Sequence, residues 1–380
     1  MGITGADRLA TPSLFHYIDR PGEGETMDQS VIGKDRRQAK GPENQDKDSW
    51  QDNWSAYEAH AAQLELPFAG RYRSCRFDYQ HPLRLQRRVP SRLRRVYPVS
   101  VAYTHWGQAG QPLILCVGGV ANCAHRFHFL AAGLAASYQV VCMDWVGRGY
   151  SGWLADVSEY QLETYVEQLR QCLLHLGARR AILVGSSLGG TAAIVLAARH
   201  PELVSRLILN DTGPFIPAGR RRRRAETLAR HYVFRNPADL LRKVGVSQRN
   251  DGPVQETVRL YTTHHQTRWS EDEDGRIYRY DPRAMLAYRE DARHNVNVWP
   301  EWWRLRQPIL ATHGLESDAL LAPTLRRMGQ NPALTLMHVP HTGHTPVLDD
   351  PNHIAFIRDW LAGGQGLGRE FTALPAPRQA

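Results

Sequence analysis

The 380-residue sequence predicts an α/β fold in which a mostly parallel central sheet is flanked by helices. Three observations carry this reading. Short apolar runs without a polar face recur from about Val96 onward, as strands covered on both faces require. Stretches with apolar residues at helical spacing separate these runs, and strand–helix alternation is the signature of a parallel sheet. One long segment, residues 215–303, interrupts the alternation and reads as a helical cap inserted between two strands.

Taken in chain order, residues 1–70 are rich in Gly, Asp, Gln and Glu. Their first 65 positions hold 12 acids against seven Lys or Arg, a local charge of −5. Too little of this stretch is apolar to offset chain entropy, so a disordered N-terminal extension is expected. Residues 71–95 carry nine Arg and a single acid, Asp78, and read as a basic, solvated strap leading into the fold. The core is expected over 96–214 and 304–362. Its strands are Val99–Tyr103, Pro112–Val117, Gln139–Asp144, Ala181–Gly185, Leu203–Asn210, Ile309–His313 and Leu334–Val339. Helices are expected over Leu162–Leu176, where Tyr165, Leu169, Leu173 and Leu176 share a face, and over Leu188–His200, Leu320–Met328 and Asn352–Leu361. The cap segment contains the run Arg220–Arg224, a helical pattern over Ala225–Val233, an acidic turn at Glu271–Asp274, and Trp299, Trp302 and Trp303, which read as packing between cap and core. Residues 363–380, with G-G-Q-G-L-G and P-A-P, read as a flexible tail.

The net charge of +9 raises nucleic acid as a partner, but the charge is local to the strap and to Arg220–Arg224, and no nucleic-acid module accompanies it. No apolar run approaches the roughly 20 residues of a bilayer span, and the start lacks a signal-peptide pattern, so a cytoplasmic protein without a membrane span is expected. Cys75, Cys116, Cys123, Cys142 and Cys172 are odd in number and scattered without a C-x-x-C pair. They read as reduced thiols. Neither His264-His265 nor Glu271–Asp274 has a metal-ligand spacing, and no cofactor is expected.

The strongest chemical signal is A-I-L-V-G-S-S-L-G-G at 181–190, which holds G-x-S-x-G between an apolar run and a helical one. A serine on a sharp strand-to-helix turn needs small residues two before and two after it. Gly185 and Gly189 satisfy this for Ser187, whereas Ser186 would place Val184 and Leu188 there. Serine needs a base, and the base an orienting acid. Asp318 follows the strand at 309–313, and His344 follows the strand at 334–339 in H-T-G-H-T-P.

With that order of Ser, Asp and His, residues from about Val96 to Leu361 resemble the α/β-hydrolase superfamily, in its serine-esterase branch. D-W-V-G-R-G-Y-S-G at 144–152 resembles the family's D-x-x-G-x-G-x-S loop, and L-N-D-T-G-P at 209–214 its cap-opening loop. G-L-E-S-D at 314–318 and G-H-T-P at 343–346 resemble the acid and histidine loops. The resemblance implies Ser187, Asp318 and His344 as the triad, with backbone N–H groups of Val120 and Leu188 as the oxyanion hole. One departure is plain: Gly118-Gly119 stands where the family has His-Gly, so the loop bearing Val120 lacks its usual imidazole support. Asp211 is an alternative acid, set behind Asp318 because it lies in the cap-opening motif. His341 is a loop histidine, and Asp144 a structural carboxylate.

The expected activity is hydrolysis of a carboxylic ester through an acyl-enzyme, on a small-molecule acyl ester. Serine at 187 separates the chain from superfamily members that use a carboxylate nucleophile. Thioesterase, lactonase, polyester-oligomer hydrolase and carbon–carbon bond hydrolase remain open, since all use this triad. A non-catalytic binding protein on the same scaffold is the rival from another class. The Arg220–Arg224 run is either a solvated helix start or a steering site for an anionic group.

Overall fold

The computed structural model describes residues 50–51, 53–82, 96–363 and 370–376, all within one compact unit, Gln45–Ala380. The disorder expected for residues 1–49, the strap residues 83–95 and most of the tail lie outside the described residues. The expected extension nonetheless ends earlier than residue 70. Helix α1 (Trp54–Glu65) is capped by the Asn53 side chain, which accepts from the Ala56 N–H, and it buries Tyr57 and Ala61. The lead-in strap is likewise a strand, β1 (Tyr72–Pro82), in which Phe77, Tyr79 and His81 face inward and Arg76, Asp78 and Gln80 face out.

Strand β2 (Val96–Trp106) pairs antiparallel with the whole of β1, from Tyr72 opposite Trp106 to Pro82 opposite Val96. The following elements are β3 (Leu113–Val117), α2 (His128–Leu134), β4 (Gln139–Met143), α3 (Leu162–His175), β5 (Ala181–Ser186), α4 (Leu188–Arg199) and β6 (Val204–Asn210). The segment between β6 and the next long strand then carries β7 (Phe215–Ile216), α5 (Ala218–Leu228), β8 (Val233–Phe234), α6 (Pro237–Gln248), α7 (Glu256–Gln266), β9 (Thr267–Ser270), β10 (Gly275–Tyr278), α8 (Pro282–Asp291), β11 (Val296–Asn297) and the short α9 (Trp299–Trp302). The chain closes with β12 (Ile309–Gly314), α10 (Ala322–Met328), β13 (Leu334–Val339), α11 (Pro351–Leu361) and β14 (Glu370–Thr372).

Nine strands form one sheet in the order β1-β2-β4-β3-β5-β6-β12-β13-β14. Every neighbouring pair from β4 to β14 is parallel, and β2 joins β4 antiparallel. Two apolar layers cover the faces. One contains Leu115, Leu183, Leu207 and Ala311 with α3 and α4 residues such as Leu169 and Val195. The other contains Ile114, Val184, Ile208 and Leu310 with α2 and α11 residues such as Leu130 and Ile357. The central strands are buried along their full length, which is why they are near-continuous apolar runs in the sequence.

Two further expectations change. The cap is not purely helical, because β8, β10 and β9 form a three-stranded sheet within it and β11 pairs with β7. The tail is not free throughout, since β14 pairs with β13 and Phe371 packs on Phe356. Helix α1 lies against the cap. Trp54 meets Trp269 edge to face, Glu58 pairs with Arg276, and Glu65 pairs with His265. Beneath it His125 stacks on His265 at 3.7 Å between ring centres, and His128 Nδ1 lies 2.6 Å from the Tyr261 hydroxyl. The tryptophans pack as expected, with Trp302 fully buried and Trp299 stacked on Trp303 under Arg327. The five cysteines are all free thiols.

Candidate active site

Strand β5 turns into α4 through Ser187, whose φ of 50° and ψ of −114° lie outside the regions a side chain normally adopts. The neighbouring glycines explain how so sharp a turn closes. A Cβ on Gly185 would sit 2.5 Å from the Gly189 carbonyl carbon and the Gly190 nitrogen, and one on Gly189 would sit 2.4 Å from the Val117 oxygen. Ser187 is therefore the residue at the turn. Ser186 is buried in the strand, where its hydroxyl accepts from Asn210 Nδ2 at 2.8 Å, and the Ser187 N–H donates to Thr212 Oγ1 at 2.5 Å.

His344, on the loop after β13, makes its ring contact with Asp211. Nδ1 lies 2.7 Å from Asp211 Oδ2, and the Asp211 side chain is 0 % exposed. Ser317 Oγ donates to the same oxygen at 2.5 Å, while Oδ1 accepts from the Gly314 N–H at 3.1 Å. The carboxylate paired with His344 is thus Asp211 and not the expected Asp318. Asp318 is 57 % exposed and turned to Arg220 Nε at 3.1 Å, with Arg223 at 3.9 Å. The physical reason is local. Ser317 fills the space beside Asp211, and its hydroxyl also accepts from the N–H groups of Ala319 and Leu320, which leaves Asp318 on the outer side of the turn. With a carboxylate on Nδ1, the ring proton is held there and Nε2 is left as an acceptor. Burial lowers the His344 pKa from its ordinary 6.5, and the hydrogen bond and charge of Asp211 act in the opposite direction.

Val120 and Leu188, whose N–H groups are the expected oxyanion donors, line one cavity together with Ser187. Leu188 is the first residue of α4, so its N–H has no intrahelical acceptor. Val120 lies on the loop after β3, and this loop is supported without the family's imidazole. Asn122 Oδ1 accepts from the Gly119 N–H at 3.2 Å, and Trp145 Nε1 donates to the Gly118 oxygen at 2.8 Å. Arg148 Nε donates to the Val120 oxygen at 2.9 Å. The Arg148 side chain is buried over Tyr160 and Tyr165. Sequence reasoning left out both Trp145 and Arg148, although they belong to the D-x-x-G-x-G-x-S loop. Asp144 in that loop is structural, accepting from the N–H groups of Ala124 and Tyr150, and burial pushes its carboxyl up to about 6.

Ser187 opens onto two chambers. One, of about 240 Å³, is polar and contains His344, Arg126, Arg220, Arg223, Arg224, Asp251 and Asp318. The other, of about 270 Å³, is the more apolar, with Leu162, Tyr165, Ile216, Ala284, Val296 and Val298 on its walls, although Arg148, Arg220, Arg221 and Asp291 also border it. Ser187, Val120, Arg220 and Tyr288 border both. The cap therefore contributes walls to each. Arg126 ties cap to core through a bidentate pair with Asp251 at 3.0 and 3.1 Å and a bond to the Thr345 oxygen at 2.9 Å, beside His344. The Arg220–Arg224 run starts α5 but is solvated only in part, with Arg222 and Arg223 exposed. Arg220, Arg223 and Arg224 face the polar chamber, Arg221 is buried against Asp291 and the His294 oxygen, and Arg222 is exposed.

Other singled-out residues lie elsewhere. His341 is an exposed loop residue at φ 53°, and His264 and His265 belong to the ring cluster under α1. Among the described residues no group of three or more His, Cys, Asp or Glu side chains is placed to hold a metal ion. No helix among them is long and apolar enough to cross a membrane.

Comparison with known proteins agrees with this architecture. The chain is 27% identical over 273 residues to a 3-hydroxybutyrate-oligomer hydrolase of Cupriavidus necator, covering 69% of this chain and 93% of that protein. It is 34% identical over 122 residues to an esterase of Mycobacterium tuberculosis, covering 32% of this chain and 40% of the esterase. The solved structure of an alpha/beta hydrolase from Novosphingobium aromaticivorans superposes with a TM-score of 0.65 at 25% identity, over 77% of this chain and 98% of that one. Residues 112–351 match the family described as the alpha/beta hydrolase fold, and the chain belongs to that family of hydrolases.

Proposed function

We propose that the protein is a serine hydrolase that cleaves carboxylic esters through an acyl-enzyme, with Ser187, His344 and Asp211 as its triad. The observation that carries the reading is the Asp211–His344 pair beside a serine held in a strained strand-to-helix turn. Ser187 Oγ attacks the ester carbonyl carbon as its proton passes to His344 Nε2. The N–H groups of Val120 and Leu188 receive the negative oxygen. The ester C–O bond then breaks, and the imidazolium returns its proton to the departing alcohol oxygen. A water molecule attacks the acyl-enzyme with His344 again as base, releasing the acid and restoring Ser187. Asp211 keeps Nδ1 protonated and stabilises the cationic ring.

The names of two relatives, an esterase and a hydrolase of 3-hydroxybutyrate oligomers, support ester bonds as the target. Simple aryl esters and short polyester oligomers are the substrates to try. The test is turnover of 4-nitrophenyl butyrate together with labelling by a fluorophosphonate. A single adduct on Ser187, and loss of both signals in a folded Ser187→Ala variant, are expected. Retained turnover in that variant overturns the assignment, and a folded wild-type protein that neither labels nor turns over is a binding protein instead.

A further inference from the structure

Among the guanidinium groups bordering the polar chamber, Arg126 is paired with Asp251, and Arg220 and Arg223 with Asp318. Arg224 makes no hydrogen bond or ion pair among the described residues. Four cations thus face two carboxylates across this chamber. Burial, and then the like charge of Arg220, lower the pKa of Arg224 from the usual guanidinium value, yet a guanidinium remains charged in a protein. While the chamber is open, water can solvate it. A substrate that fills the chamber removes that water and must either supply an anion or leave a buried charge unpaired, which is costly.

His344 adds direction. The base returns its proton to the departing oxygen, so the alcohol half of the ester lies on the side of His344. That is the polar chamber, because His344 borders it and not the apolar one. The acyl half is then left with the more apolar chamber of Leu162, Ile216, Val296 and Val298, whose bordering arginines are already engaged: Arg148 on the Val120 and Val146 oxygens, Arg220 with Asp318 and Arg221 with Asp291. We infer that the preferred substrates are esters of hydroxycarboxylic acids, with the free carboxylate on the leaving alcohol bound by Arg224 and an apolar acyl group on the other side of Ser187. The inference rests on the proposed serine-esterase reading and adds to it a substrate class and an orientation. On an oligoester it means release of the unit at the carboxylate end.

The test compares kcat/KM for 3-(butanoyloxy)butanoate with that for its neutral dimethylamide, following butyrate release. A second pair, monoethyl glutarate against ethyl pentanoate, places the carboxylate on the acyl side. Charge-assisted hydrogen bonds predict a wild-type preference of about 30-fold in the first pair, which is ~2 kcal/mol at 1.4 kcal/mol per decade. No preference is expected in the second pair. Arg224→Gln is expected to cut the first ratio about tenfold or more, whereas Arg222→Gln, on the exposed side of the same helix, keeps it. The ratio is read rather than the absolute rate, so a general loss of activity does not imitate the effect. A wild-type ratio near one overturns the inference even if Arg224→Gln fails to fold. So do an unchanged ratio in Arg224→Gln, an equal fall in Arg222→Gln, or a preference carried by the acyl-side carboxylate. Neutral esters cleaved without carboxylate preference count against this inference alone; no turnover of any ester counts against the proposed activity itself.

Discussion

Replacing Asp211 by Asn, and Asp318 by Asn in parallel, isolates the group that orients His344. The Asp211 carboxylate accepts three hydrogen bonds, from Gly314 N–H, Ser317 Oγ and His344 Nδ1. An Asn amide has one acceptor oxygen. If that oxygen stays on the Gly314 N–H, the NH2 group faces His344 Nδ1, which must then accept and send its proton to Nε2. The base would stand in the wrong tautomer toward Ser187, a change that costs about 10⁴ in kcat where such a triad carboxylate is neutralised. At 1.36 kcal/mol per decade this is about 5.4 kcal/mol of transition-state stabilisation. Asp318 sits in an ion pair that is more than half exposed on its side, and such pairs contribute ~1 kcal/mol or less. Its replacement is expected to change kcat/KM for a neutral aryl ester by less than about fivefold. The assay is 4-nitrophenyl butyrate hydrolysis from pH 5 to 9, with thermal unfolding recorded on both variants. Activity falls as pH drops through the His344 pKa, so the wild-type acid limb is expected below 6.5, the ordinary value. Loss of the Asp211 charge, which raises that pKa, moves the residual activity's limb lower still. An Asp318→Asn defect as deep as that of Asp211→Asn refutes the argument.

Three further outcomes follow from the packing. Gly189→Ala puts a methyl 2.4 Å from the Val117 oxygen, against backbone that cannot yield cheaply; a loss of about 1–3 kcal/mol in urea unfolding is expected, together with at least a tenfold fall in kcat. Arg148→Met removes the donor to the Val120 oxygen, and is expected to lower kcat about tenfold to a hundredfold with little change in KM, measured on the neutral ester. His125 and His128 have pKa values held well below 6.5, chiefly by burial and then by neighbouring histidine charge. Above 6.5 both folded and unfolded chains hold them neutral; below it the unfolded chain takes up protons that the folded chain refuses. Stability is therefore expected to fall with acidification below about pH 6.5, by ~1.4 kcal/mol per pH unit for each such histidine, and His125→Asn to make that slope shallower by about one proton. Urea midpoints at pH 7.5, 6.5, 5.5 and 5 provide the check, and equal slopes in variant and wild type contradict it.

The parallel strands were readable because burial on both faces leaves no room for polar residues, as in L-I-L-C-V of β3 and A-I-L-V-G of β5. The turn at Ser187 was readable for a related reason, since its close approach restricts positions 185 and 189 to glycine, whereas His344 was marked by the family-like G-H-T-P. Strand β1 was hidden by its charge. Phe77, Tyr79 and His81 alternate with outward polar residues at a strand's period of two, but the arginines around them suggested a solvated strap. Helix α1 buries little beyond Tyr57 and Ala61, and its contacts with Trp269, His265 and Arg276 come from residues some 200 positions away, which no local window contains. The choice between Asp211 and Asp318 had the same difficulty. Both follow a strand, and what separates them is burial, settled by where the Ser317 hydroxyl falls.

The β1–β2 hairpin bears on how this protein can be cut. The stretch that matches the family starts at residue 112, and a shortened chain made to that boundary would lose β1 and β2 together. The antiparallel pairing from Tyr103–Trp106 to Val140–Met143 would go with them, leaving β4 as a bare, apolar margin with its backbone groups unmatched. Such a margin recruits other chains. A start at residue 96 would keep β2 yet strip its outer partner along all eleven paired positions. The shortest sound fragment begins ahead of Asn53, so that the helix cap, the cover over the histidines and the arginine-studded outermost strand travel with the domain they close.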